Sequence, residues 1–189
     1  MPFVGMNADV LRPMFKDPFA QESLGADVHW TGWEVIPGIF LLFVMAAAFY
    51  FFRKGRHGAT ETRHSRWKGF QILFAGSGVF VLLTLIFFIK RIEGYSQRAA
   101  IEFFESKTGQ DCYVIPHGYR SYAHLFYTLK PKVTNEKSYD RNWLYTGDID
   151  KDVFVVAKIH RAHEVAEIPG MEEVGRKNGF VFFRRRVGE

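Results

Sequence analysis

Two runs of residues carry no charge at all. Val35 to Phe52 reads VIPGIFLLFVMAAAFYFF and Phe70 to Ile89 reads FQILFAGSGVFVLLTLIFFI, eighteen and twenty residues. A helix needs about 20 mainly apolar residues to cross a bilayer core, and both runs meet that length. Buried helices of a soluble protein seldom stay uncharged on every face for so long. The first run is a poor signal peptide: it starts too far along the chain, its lead-in is acidic, and no small-residue cleavage site follows. The mean hydropathy of −0.09 averages these runs with a polar remainder. The fold class expected is therefore a membrane α-helical hairpin, residues 34–89, followed by a small α/β domain at 90–189.

Flanking residues fit this reading. Trp30 and Trp33 precede the first run and Trp67 the second, where indoles suit the headgroup belt. Pro37 falls in the first turn, where its missing N–H costs little. Ala75 to Gly78, AGSG, offers small residues for close helix approach. The loop Arg53–Gly69 holds six Lys/Arg and one Glu, whereas Met1–Trp33 holds two Lys/Arg and four acids. The positive-inside rule then predicts a cytoplasmic loop at 53–69, an inner (cytoplasmic) membrane location, and both termini extracytoplasmic. Lys90 and Arg91 pull the other way but are outnumbered. The net charge of +5 is concentrated in that loop, so it reads as a topology signal and not as a nucleic-acid footprint. Translocating residues 1–33 with no signal ahead of them is uncommon. The expectation is that further spans precede Met1 and that the sequence is the C-terminal piece of a multi-spanning protein.

The last hundred residues mix seventeen Lys/Arg with fourteen Asp/Glu and are enough for one small core. Tyr95–Gly109 predicts a helix stopped by Gly109, and Asp111–Pro116 a short strand ended by Pro116. Tyr119–Leu129 predicts a helix or helical turn broken before Pro131. Residues 131–151 read as polar and turn-rich. Val153–Ile159 is the clearest strand. His160–Ile168 and Met171–Gly179 read as short helical pieces, and Phe180–Arg186 as a final strand after an Asn-Gly turn.

Candidate chemistry is sparse. His160 and His163, three apart, lack a third ligand fixed by spacing, and no metal site is expected. Asp148, Asp150 and Asp152 lack the glycine and distal glutamate of an EF-hand. Cys112 is the single cysteine, so no intrachain disulfide forms; placed in a strand, it reads as a buried inert thiol. No nucleophile elbow, Walker motif or dinucleotide fingerprint occurs, and no cofactor is expected in this chain. Neither apolar run contains an acid, which argues against a transporter built from this chain alone.

The text after the second run resembles a known family. RIEGYSQRAAIEFFESKTGQDCYV, GYRSYAHLFYTLKP, NWLYTGDIDKDVFVVAKI and RKNGFVFFRR are similar, in order, to the C-terminal extracytoplasmic domain of bacterial family 39 glycosyltransferases. These are relatives of protein O-mannosyltransferases and of the aminoarabinose transferase that modifies lipid A. KDPFAQESLGADVHWTGWE resembles the loop before their last two spans. The resemblance implies an enzyme that takes a sugar from a polyprenyl-phosphate donor and passes it to a lipid or protein acceptor outside the membrane. It also implies catalytic acids in a first extracytoplasmic loop, which has no counterpart here, so no catalytic residue is assigned. The role implied is acceptor binding or cavity closure, with membrane lipid and the preceding spans as partners and inactivity of the chain alone. The rival reading is a two-span protein whose outer domain binds a partner in the envelope.

Within His117–Lys132, HGYRSYAHLFYTLKPK, four aromatic rings, two histidines and three cations crowd sixteen residues. Amphipathic rings favour the membrane interface. Tyr119, Arg120, Tyr122, His124 and Lys130 are the substrate- or lipid-binding candidates. The competing expectation is that Tyr122, Leu125 and Phe126 are core and the rest solvated.

Overall fold

The structure, a computed structural model, describes residues 5–54, 61–130 and 135–188. The middle of the basic loop (55–60), Met1, Pro131 and Lys132 lie outside the described residues. The described chain forms two compact units, one of residues 1–7 and 28–93, the other of residues 8–27 and 94–189.

The first unit is dominated by two helices, Ile36–Lys54 and Glu61–Ser96. Both are long and apolar enough to cross a membrane. The second has 36 residues and is about 54 Å long at 1.5 Å per residue, so it outruns both ends of the apolar stretch. Their outer surfaces are apolar: Phe43, Leu42 and Phe74 are strongly exposed, Phe74 by 87%. They pack antiparallel through small residues. A Cβ on Gly76 would lie 2.4 Å from Val44, and one on Gly69 would lie 2.8 Å from Phe52. The AGSG stretch thus supplies one close approach, at Gly76, while nothing lies near Gly78. Ser65 donates to the Phe51 carbonyl at 2.9 Å. At the far end Trp30 meets Phe88 edge-on at 6.0 Å. There Glu34, in a 3-10 turn leading into the first helix, pairs with Arg91 at 2.5 Å and accepts from the Thr31 hydroxyl at 3.0 Å. The Glu34 side chain is fully enclosed.

The second unit is a mixed four-stranded sheet with helices on both faces. We label the strands β1 (Tyr113–His117), β2 (Val153–Lys158), β3 (Met171–Lys177) and β4 (Phe180–Arg185). Their spatial order is β1-β2-β4-β3, with β1 and β2 parallel and the other pairs antiparallel. β2 lies inside the sheet, and five of its six residues are buried whichever face they point to, which is why it reads as a continuous β-branched run. One face packs Val114, Phe154, Val156, Phe180 and Phe182 against Ala99, Ala100 and Phe104 of the helix Arg98–Glu105. The other packs Val153, Val155, Ala157, Val181 and Phe183 against Leu144 of the helix Arg141–Thr146 and Val165 of the helix Ala162–Ala166. Residues 8–27 contribute to this unit: Phe19, in the helix Pro18–Leu24, sets its ring edge-on to Phe180 at 5.2 Å.

Several sequence expectations need correction. Met171–Lys177 is strand β3 and not a helical piece. Its Glu, Arg and Lys favour helix intrinsically, but β4 pairs with it along its length through a bulge at Glu173/Gly175. The Asn-Gly turn is the device that imposes this, because Asn178 and Gly179 both take positive φ, 47° and 81°, as a tight two-residue hairpin requires. Strand β1 runs through Pro116 to His117, which an edge strand permits because the missing N–H faces no neighbour. The predicted helix at 95–109 is divided at Gln97: the residues before it continue the long helix, and Arg98–Glu105 is a separate one. Within the turn-rich stretch, Asn135 and Asp140 cap a 3-10 turn, Glu136–Tyr139, and the helix Arg141–Thr146, each side chain accepting from the backbone two residues on.

Candidate functional site

The aromatic segment after β1 folds as a short helix, Ala123–Tyr127, begun by Ser121, whose hydroxyl accepts from the Ala123 N–H at 3.2 Å. Thr128 ends it, its hydroxyl donating to the His124 carbonyl at 2.6 Å. Leu129 then takes φ 46°, a left-handed conformation that costs a branched side chain about 1 kcal/mol or more. One side of this helix is anchored. Ala123 and Tyr127 pack on the first core cluster, and His124 lies edge-on to Phe104 at 6.2 Å. The other side is bare. Tyr122, Leu125, Phe126 and Leu129 are exposed by 83, 62, 70 and 71%. Leu125 and Phe126 lie on the helix, Tyr122 is its N-cap residue and Leu129 follows its C-cap, so the four form an exposed stripe along one short turn of chain. The expectation that Tyr122, Leu125 and Phe126 are core is therefore overturned; the core side of the segment is made by smaller and polar residues.

The five candidate residues are not brought together. Tyr122 stands on the stripe and Arg120 is exposed beside it in sequence. Tyr119 turns inward against the core cluster, its hydroxyl buried without a hydrogen-bond partner, and burial pushes the phenol well above its ordinary value. His124 is half-buried, its Nδ1 likewise unpartnered, and burial lowers its pKa, so the neutral ring is favoured. Lys130 also points inward. Its ammonium donates to the Lys107 carbonyl at 2.9 Å and to the Gln110 carbonyl, and lies 3.3 Å from the Cys112 sulfur. It closes the loop after the helix Arg98–Glu105 and is not presented to a lipid.

Sequence reasoning missed one constellation. His117, at the carboxyl end of β1, contacts the Tyr145 hydroxyl through Nδ1 at 2.9 Å and Glu164 through Nε2 at 2.8 Å. The carboxylate can only accept, so a neutral ring carries its proton on Nε2 and accepts from Tyr145 on Nδ1. The His117 bond holds the Glu164 carboxyl below its usual range, and burial raises the Tyr145 phenol. These residues lie 28 and 47 positions from His117, a separation that leaves no local signal. The chain ties β1 to the helices on one face of the sheet.

No family model, characterised protein or solved structure matches the chain. His160 is exposed and sets its ring 6.5 Å from Phe19, and His163 is exposed on the helix Ala162–Ala166. Burial, joined by the hydrogen bond that the Tyr113 hydroxyl donates to Asp150 at 2.9 Å, pushes that phenol up to about 12. Asp152 is bound by Arg184. Among the described residues no three His, Cys, Asp or Glu side chains are grouped to hold a metal.

Proposed function

We propose that this chain is a membrane-anchored binding module. Its two long helices cross the bilayer as a hairpin, and its second unit lays the stripe Tyr122, Leu125, Phe126 and Leu129 on the membrane interface. The observation that carries the proposal is that stripe: four large side chains exposed on and beside a short helix whose Ala123 and Tyr127 pack on a core. Scattered exposed hydrophobics are ordinary on a protein surface, but a contiguous apolar stripe marks a contact site. Two features favour lipid as the surface met. The same chain carries two helices that are apolar around their whole circumference. The stripe also begins with a tyrosine next but one to the exposed Arg120, a pairing suited to headgroup level.

The resemblance to family 39 glycosyltransferases extends this reading. The module would sit on the extracytoplasmic side and serve acceptor binding or cavity closure for a polyprenyl-phosphate-sugar transferase, rather than bond making.

The test uses the full chain in lipid nanodiscs with Cys112 replaced by alanine. An environment-sensitive dye is attached at Phe126→Cys or, as a control, at the exposed Lys137→Cys. Blue-shifted emission at 126, quenched by a quencher carried on lipid, with water-like emission at 137, is expected. Water-like, unquenched emission at both positions would overturn the proposal.

A further inference from the structure

A cavity of about 370 Å³ opens on the face of the sheet that packs against the helix Arg98–Glu105. Its floor is aromatic, from Phe103 and Phe154, with Val174 at one side. Its charged lining is Lys107, Arg184, Asp111 and Asp152. Both acids are already engaged. Asp152 accepts from Arg184 through Nε at 3.0 Å and Nη2 at 2.5 Å, and from the Val187 N–H at 3.2 Å. Asp111 pairs with Lys151 at 2.6 Å. Lys107 is different. Its ammonium lies 4.1 Å above the Phe154 ring and 4.9 Å from that of Phe103, with no carboxylate within ion-pair distance among the described residues. Lys130, close by, spends its ammonium on two carbonyls and the Cys112 thiol, so it too lacks a carboxylate. The cavity lining thus holds two cations and two carboxylates, and both carboxylates are engaged elsewhere than at Lys107, which is left without one. Burial pushes the Lys107 ammonium below its ordinary pKa, and Arg184 and Lys130 push the same way.

From this geometry we infer that the cavity is a binding site for a small phosphate monoester. Lys107 is its main charge partner, and Phe103 and Phe154 support the attached organic group. The volume falls in the range of small-ligand sites, with the usual composition of an apolar wall and few polar groups. Lys107 offers three N–H donors, and the Nη1 group of Arg184 has no hydrogen bond among the described residues. More than two donors therefore converge, which suits the three terminal oxygens of a phosphate monoester better than the two of a carboxylate. An anion here completes the coordination of a charge that the fold has left over aromatic rings. The site uses none of the stripe residues, so it stands or falls separately from the membrane-contact reading.

The ligand could be a soluble phosphate or a lipid headgroup, and the experiment separates them. Full-length protein in phosphatidylcholine nanodiscs is titrated calorimetrically with glycerol 3-phosphate. In a second arm the discs contain phosphatidic acid, and reaction of the single cysteine, Cys112, which lines the cavity, is followed with a small thiol reagent. Saturable binding in the first arm identifies a soluble ligand; slowed thiol reaction in the second identifies a headgroup. In either arm, Lys107→Gln should weaken the effect about tenfold or more, the cost of losing a charged hydrogen-bond partner. Lys107→Arg should restore most of it. Lys107→Gln removes a desolvated charge and no ion pair, so its unfolding temperature should match the parent's. No saturation by about 10 mM in the first arm, weaker than most specific sites, together with unchanged thiol reactivity in the second, would overturn the inference. So would effects identical in Lys107→Gln and the parent.

Discussion

Val155 is the residue on which the account of the sheet can be tested most sharply. It is fully buried at the centre of β2, between Ile115 of β1 and Phe183 of β4. Val155→Ala removes two methyl groups, worth about 1.6 kcal/mol at about 0.8 kcal/mol per buried carbon. The space left, about 40–50 Å³, adds about 1 kcal/mol if its walls do not collapse. Strands on both sides and helices over both faces leave little room for collapse, so the full cost of about 2–3 kcal/mol is expected. Hydrogen exchange read by mass spectrometry on the full chain in nanodiscs isolates the second unit from the apolar helices. Amides of β2 and β4 that exchange through opening of the sheet should lose about 30- to 150-fold in protection, since 1.4 kcal/mol is about tenfold. Val187→Ala, at a side chain half-exposed beyond β4, should change protection less than about threefold, as surface substitutions do. A loss below about threefold for Val155→Ala would refute the reasoning, because it would mean that β2 is not enclosed on both faces.

Other predictions follow from the same contacts. In a Cys112→Ala background, a cysteine at the exposed Asp148 should react with a membrane-impermeant thiol reagent in intact cells and one at the exposed Arg66 should not; the reverse would sink the orientation. Gly147 is unsuitable for that label, because a Cβ there would lie 2.3 Å from the Trp143 ring. Arg184 holds the Asp152 carboxyl below its usual range, so this pair stabilises the fold above the ordinary aspartate pKa and loses that contribution as pH falls through the lowered value. Protection of β2 and β4 amides should therefore fall more steeply between about pH 5 and pH 2 in the parent than in Asp152→Asn, and parallel curves would show that the pair adds nothing. Purified chain given a polyprenyl-phosphate sugar should transfer nothing, and turnover above a protein-free control would mean that this sequence contains the chemistry.

What could be read in advance depended on where each signal was stored. Val153–Lys158 was legible because a strand buried on both faces needs apolar residues at every position, and that pattern is local. Asn178 and Gly179 were legible because only a few residue types accept positive φ. β3 was not, because it lies at the sheet edge with most of its side chains in water, so its composition reports solvent and only its pairing to β4 makes it a strand. The aromatic stripe was present as spacing, yet spacing alone gives two candidate faces. Ala123 and Tyr127 won the inner one, which apolarity alone would have awarded to Leu125 and Phe126. The cavity was invisible for a simpler reason: its walls come from positions 103 to 184, and none of its cations is unusual until its neighbours are known.

The enclosed pair of Glu34 and Arg91 has a consequence for how the two long helices index against one another. Between apolar helices in lipid, one leucine or phenylalanine contact serves nearly as well as the next, so sliding along the axis meets little resistance. The notches at Gly69 and Gly76 seat Phe52 and Val44 and set how closely the helices approach. Glu34 and Arg91 occur once. A displacement of one helical turn, about 5.4 Å, would part the enclosed Glu34 carboxylate from Arg91, and breaking a buried pair costs about 3–5 kcal/mol. The pair therefore acts as the zero mark of a sliding scale: the glycines set how closely the helices approach, and this charge contact sets where along the axis they stop.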